Sequence, residues 1–173
     1  MAKRELVVIE NTKFIFRTNF GGKADNDKYG STSRRGNLII PTEQLAEKLS
    51  DLGMDVKCTR PKEGEEEGFK PTFFIPILIK YDSAFAQERP PKVYLVAGEG
   101  AEPVLLNEDN VGIIDMSYIL NVDATIEIAY LKNYDRHAAY VRTMYVTTEA
   151  DDDPFASKYA SADEVHTMPS AGI

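Results

Sequence analysis

Two segments of the chain mix aromatic and basic side chains closely enough to serve one polyanionic ligand. The first is Lys13-Phe14-Ile15-Phe16-Arg17-Thr18-Asn19-Phe20, which leads into a loop carrying Lys23, Lys28, Tyr29, Arg34 and Arg35. The second is Tyr130-Leu131-Lys132-Asn133-Tyr134-Asp135-Arg136-His137. Aromatic faces stack unpaired bases while neighbouring cations follow the phosphates, so this mixture suits a single-stranded nucleic acid held without reading its sequence. Phe14, Phe16 and Phe20 share one side of an alternating pattern, where phenylalanine is more often core than platform. Tyrosine carries a polar tip that tolerates water, which makes Tyr29, Tyr130 and Tyr134 the stacking candidates. Lys13, Arg17, Arg34, Arg35, Lys57 and Lys132 are the cations expected beside them. Taken singly, each reads equally well as a solvated surface charge; the clustering carries the reading.

Other chemistries find no seat. Gly21-Gly22-Lys23 lacks the spacing of a phosphate-binding loop, and Ala24 stands where a serine or threonine would follow the lysine. Asp115, Asp123 and Glu127 fall near strand ends, as nuclease ligands would. No lysine stands two residues after any of them, and structural turn roles fit better. Cys58 lies in a strand pattern, no serine occupies a Gly-x-Ser-x-Gly elbow, and neither His137 nor His166 has a catalytic context. One cysteine and two histidines can build neither an internal disulfide nor a Cys/His zinc cage. An enzyme is not expected, and neither a metal nor a cofactor.

The 173 residues carry a formal charge of -8, which at first sight opposes a nucleic-acid partner. The distribution favours one: residues 1–36 hold eight Lys or Arg against four acids, and residues 150–173 hold one base against five acids. That last stretch opens with Asp151, Asp152, Asp153 and Phe155 and is too poor in large apolar groups to offset its ordering entropy. Two units follow: a folded domain over 1–149 and a disordered acidic tail over 150–173, in which Phe155 and Tyr159 form a docking motif for a protein partner. No apolar run is long enough to cross a bilayer, the N-terminal residues do not read as a secretory leader, and a lone cysteine fits a cytoplasmic setting.

The elements that must position these residues are mostly strands. Residues 13–20 alternate as a strand, 21–36 form a basic loop, and 37–40 resume a strand that Pro41 ends. Thr42 caps a helix whose stripe is Leu45, Ala46, Leu49 and Leu52, stopped by Gly53. Further strands are expected over 55–60, 72–81, 92–97, 124–131 and 140–148, with Pro76 marking an edge or a bulge. Gly98-Glu99-Gly100 reads as a hairpin turn and Asn107 as the cap of a short helical turn within 107–117. Arg142 and Tyr145 fall on opposite faces of their strand unless a bulge intervenes.

These segments, taken in order, resemble the OB-fold single-stranded DNA-binding proteins of tailed bacteriophages. The carriers are Arg35-Gly36-Asn37-Leu38-Ile39-Ile40-Pro41, Leu45-Ala46-Glu47-Lys48-Leu49, Gly53-Met54-Asp55-Val56-Lys57 and Pro90-Pro91-Lys92-Val93-Tyr94-Leu95-Val96, then Asn110-Val111-Gly112-Ile113-Ile114-Asp115, Asn121-Val122-Asp123 and Ala139-Tyr140-Val141-Arg142-Thr143-Met144-Tyr145-Val146-Thr147. The resemblance implies a mainly β, OB-fold-like antiparallel barrel with one short helix. It further implies non-catalytic coating of single strands during phage DNA replication and recombination in the bacterial host cytoplasm. The acidic tail would contact replication or recombination proteins and compete with DNA for the groove; a homodimer is one assembly open to the chain, and no membrane partner is expected. Two other readings stay open: an acidic DNA mimic that binds a host protein, and a β-barrel virion component. The basic segment 1–36 counts against the mimic.

Overall fold

The computed structural model describes residues 5–26, 29–64, 66–83 and 88–149. The expectations for Lys28 and for the tail, including Asp151, Asp152, Asp153, Phe155 and Tyr159, lie outside the described residues. Nine strands share one sheet: β1 (Glu5–Thr12), β2 (Phe14–Asn19), β3 (Arg35–Ile40), β4 (Lys57–Cys58), β5 (Phe73–Leu78), β6 (Lys92–Ala97), β7 (Val104–Leu106), β8 (Ile119–Leu131) and β9 (Arg136–Thr148). Helix α1 spans Glu43–Asp51, and short 3-10 turns cover Ala24–Asn26 (η1) and Val111–Met116 (η2). Among the described residues no helix is long and apolar enough to cross a membrane.

Only Lys13 separates β1 from β2, yet β1 pairs with β8 and β2 with β3. Residues 5–19 are therefore one strand bent between two neighbours. The hydrogen-bonded circuit runs from β2 through β3, β5, β9 and β8 back to β1, which is the closure of an OB barrel. The pairs around it are antiparallel, as expected, except at the seam: Ile77 and Leu78 of β5 pair in parallel with Ala139 and Tyr140 of β9. The β6–β7 hairpin extends the wall, with β6 also parallel to β9. Inward residues of every long strand meet in one core, including Ile9, Leu38, Ile75, Ile77, Leu95, Ile126 and Met144. Their burial is the main term holding the barrel closed.

The helix forms for the reasons its sequence gives. Thr42 Oγ1 accepts a hydrogen bond from the Leu45 N–H at 3.2 Å, Ala46 and Leu49 are buried, and the chain turns out through Gly53 at φ +98°. Between residues 55 and 60 only Lys57 and Cys58 pair, against Phe74 and Phe73. The strand β1, which the sequence pattern did not reveal, hides in the unbroken apolar run Leu6-Val7-Val8-Ile9, whose members alternate exposed and buried. Arg142 is the extra residue of a bulge, since Thr143 pairs with Thr125 and Val141 with Ile126.

Gly53 also sits where the His137 ring passes under the helix. A Cβ placed there would lie 2.4 Å from the imidazole, and the backbone is left-handed. Gly53→Ala is therefore expected to cost roughly 2 kcal/mol, seen as a lower urea midpoint at unchanged m-value.

Candidate nucleic-acid interface

The loop between β2 and β3 is rooted by one carboxylate. Asp115, in η2, accepts hydrogen bonds from Thr18 Oγ1 at 2.6 Å and from the backbone N–H groups of Phe20 at 2.8 Å and Gly21 at 2.9 Å. The approach is close enough that a Cβ on Gly112 would fall 2.9 Å from Gly21 Cα. Asn19 then clamps the loop on itself, its amide donating to the Lys23 carbonyl and accepting from the Lys23 N–H, each at 3.0 Å. Asp123 accepts from the Asn11 N–H at 2.8 Å, and buried Glu127 pairs with Arg142. All three carboxylates that could have suggested a nuclease are thus engaged in holding the barrel.

Above this root a groove runs between the loop, β5 and the β8–β9 turn at residues 132–135. It consists of two cavities of about 580 and 530 Å³ that share Ser33, Leu78 and Arg136. Its floor exists because the sheet is unfinished there. One edge of β5 pairs with β3 throughout, while the other pairs with β4 at Phe73 and Phe74 and with β9 at Ile77 and Leu78, leaving Pro76 between them. The strand β5 is interior, between β9 and β3, and its register with β3 is unbroken, so Pro76 marks neither an edge strand nor a bulge; it falls with Ile75 in the gap between two partners, where its missing N–H costs no ladder bond on that side.

The structure brings part of the expected set together. Arg34 lines the larger cavity, donates through Nη1 to the Phe20 carbonyl at 2.9 Å and lies 5.5 Å from the Tyr81 ring centroid. Tyr134 lines the same cavity, 71% exposed, with the Arg136 guanidinium 5.5 Å from its ring centroid. Arg35, Lys57 and Tyr130 line the smaller cavity. The Tyr130 hydroxyl donates to Asp135 Oδ1 at 2.5 Å, which holds that phenol above its ordinary value, and its ring sits 5.1 Å from His137. Lys13, Arg17, Tyr29 and Lys132 are exposed but lie outside both cavities.

Phe16 corrects the even alternation of residues 13–20. Phe14 packs against the core and Phe20 is fully buried, but a bulge between Ile15 and Asn19 turns Phe16 outward at φ +63°. Its ring is 65% exposed and meets Phe74 edge-on, centroids 5.4 Å apart. A bulky residue in the left-handed region is strained by roughly 1–2 kcal/mol, so an exposed aromatic held there marks a site worth assigning. Tyr81 and Arg136 are further groove residues that the sequence left without a role. Burial pushes the Tyr81 phenol up to about 12, with Arg34 opposing and Glu108 adding to the rise. No local pattern signals Tyr81, whereas Arg136 stands two residues after Tyr134 and was legible as a partner for that ring.

A family model described as "Putative phage ssDNA-binding domain" matches residues 1–169. Among solved structures, the chain is similar to the single-stranded DNA-binding protein from bacteriophage Enc34. Its C-terminal truncation aligns at 14% identity and a TM-score of 0.47, covering 83% of this chain and 85% of that one. A second structure of that protein aligns at 16% identity and a TM-score of 0.44, covering 90% and 89%. No curated protein matches the chain.

The rooting of the loop is open to a direct check. Asp115→Asn replaces one acceptor by an amide donor facing an N–H, so a loss of about 1–3 kcal/mol in stability is expected, together with faster proteolysis within residues 20–34.

Proposed function

The chain belongs to the phage ssDNA-binding domain family, and from that premise we propose that it coats single-stranded DNA along the groove, without catalysis, in phage replication and recombination. The observation that carries the assignment is the groove itself, where Arg34, Arg35, Lys57 and Arg136 line two adjoining cavities together with Tyr130 and Tyr134. Rings supply roughly 1–3 kcal/mol per stacked base, and one OB domain takes about 4–16 nucleotides. Phe16 extends the stacking surface beside Phe74, and Tyr29 stacks a further base outside the cavities, while Lys13, Arg17 and Lys132 contact the backbone. The DNA-mimic reading has the total charge of -8 in its favour and the basic segment 1–36 against it; the virion reading has no observation that favours it.

The division into a binding domain over 1–149 and an acidic tail over 150–173 belongs to the same proposal. Asp151, Asp152 and Asp153, with Phe155, would dock replication or recombination proteins and compete with DNA for the groove cations. The setting is the host cytoplasm.

Labelled oligo-dT titrated at two salt concentrations is expected to bind with a log-log slope of about -0.7 per phosphate neutralised, and duplex of equal length is expected not to displace it. Phe16→Ala weakens that binding by about five-fold or more with little change in Tm, because the ring lost is mostly exposed. A chain ending at residue 149 binds more tightly than the full chain at low salt; equal affinities there would remove the competition and leave the groove assignment standing.

A further inference from the structure

The larger cavity brings charges of both signs together with aromatic rings. Beside Arg34 and Lys80 stand two carboxylates, Asp82 and Glu108, and the walls include the rings of Tyr81, Tyr134 and Tyr140. The Tyr81 hydroxyl is buried and has no hydrogen-bond partner among the described residues. A buried, unpaired hydroxyl is costly, and a ligand that bonds it recovers that cost. Its phenol stays protonated far above neutral pH, so it can both donate and accept.

A phosphate entering this cavity would meet two like charges beside the cations Arg34, Lys80 and Arg136, whereas an uncharged base carrying donors and acceptors can bond groups of either sign. We propose, building on the single-stranded DNA reading, that this cavity takes one nucleobase by its Watson–Crick edge and prefers guanine. Of the four DNA bases only guanine sets two adjacent N–H donors, N1 and N2, beside a carbonyl. The Glu108 carboxylate accepts that pair, and Arg34 or the Tyr81 hydroxyl donates to O6. Thymine offers a single N–H between two carbonyls, and adenine and cytosine present ring-nitrogen acceptors toward the carboxylate. Tyr134 supplies the face on which the base lies. The protein then coats single strands generally but settles in a preferred register where a guanine meets this pocket.

The test uses the full chain and dT oligonucleotides of about 12 nucleotides in which one thymine, at successive positions, is replaced by dG, dA, dC or deoxyinosine. Deoxyinosine keeps the O6 and N1–H of guanine and lacks the N2 amine. At one position dG is expected to bind about five-fold tighter than dT, with deoxyinosine between them, and Glu108→Gln is expected to bring the dG to dT ratio close to one. Equal, salt-sensitive affinities for all the oligonucleotides would overturn the guanine site and leave the single-stranded DNA reading intact. A dG preference that survives Glu108→Gln would overturn the assignment to this cavity. Failure to bind any oligonucleotide would sink the DNA reading and the inference with it.

Discussion

The barrel closes because one strand changes direction at Asn11. Residues 5–9 must lie beside β8 and residues 14–19 beside β3, and these neighbours are not coplanar. Asn11 absorbs the bend in the left-handed region at φ +56°, which asparagine tolerates better than most residues. Its N–H, lost to the ladder, is taken by Asp123, and Thr12 Oγ1 donates to the Ile39 carbonyl at 2.5 Å. Without that bend β2 would not reach β3 and the loop at 20–34 would not meet the β8–β9 turn. The groove is thus a consequence of how the barrel is closed rather than an addition to it.

The acids are spent in the same way. Asp115 and Asp123 each accept hydrogen bonds from more than one group, and Glu127 neutralises Arg142. Exposed charges act over about 8 Å at physiological ionic strength, so a strand in the groove feels its own lining far more than the chain's total charge of -8. A net-acidic protein can therefore hold a polyanion, provided its cations are gathered and its nearby carboxylates are occupied. Within the groove Asp135 is occupied by the Tyr130 hydroxyl, while Asp82 and Glu108 line the larger cavity beside Arg34, Lys80 and Arg136.

What the sequence made legible was whatever depends on neighbours in the chain. The bounds of β6, the Thr42-capped helix, the hairpin near Gly98 and the turn carrying Tyr134 are local patterns of period, cap and turn residue. Bulges are not local in that sense. The extra residue at Arg142 and the outward turn of Phe16 depend on how many residues the partner strand supplies, and alternation assumes one for one. Strands β8 and β9 run longer than their apolar cores because Asn121, Asp123 and Arg136 pair through backbone alone. In the site, tyrosines in turns were recognisable from their chemistry. Tyr81 was not, since what makes it notable is an arginine and a glutamate brought from distant segments.

The two candidate stacking rings at the β8–β9 turn are held differently, and stacking energetics give the difference meaning. Gly53, at the end of α1, leaves room for the His137 ring; that ring supports Tyr130, and Asp135 fixes the Tyr130 hydroxyl. A ring held at both face and tip loses little freedom when a base arrives, so more of its contact energy appears as affinity. Tyr134 has the Arg136 guanidinium 5.5 Å from its ring centroid and stands 71% exposed. It can move to follow whatever base lies in the larger cavity, at a greater cost in side-chain entropy. A rigid platform next to an adaptable one suits the role proposed for the groove, which is to hold any strand and still distinguish one of its bases.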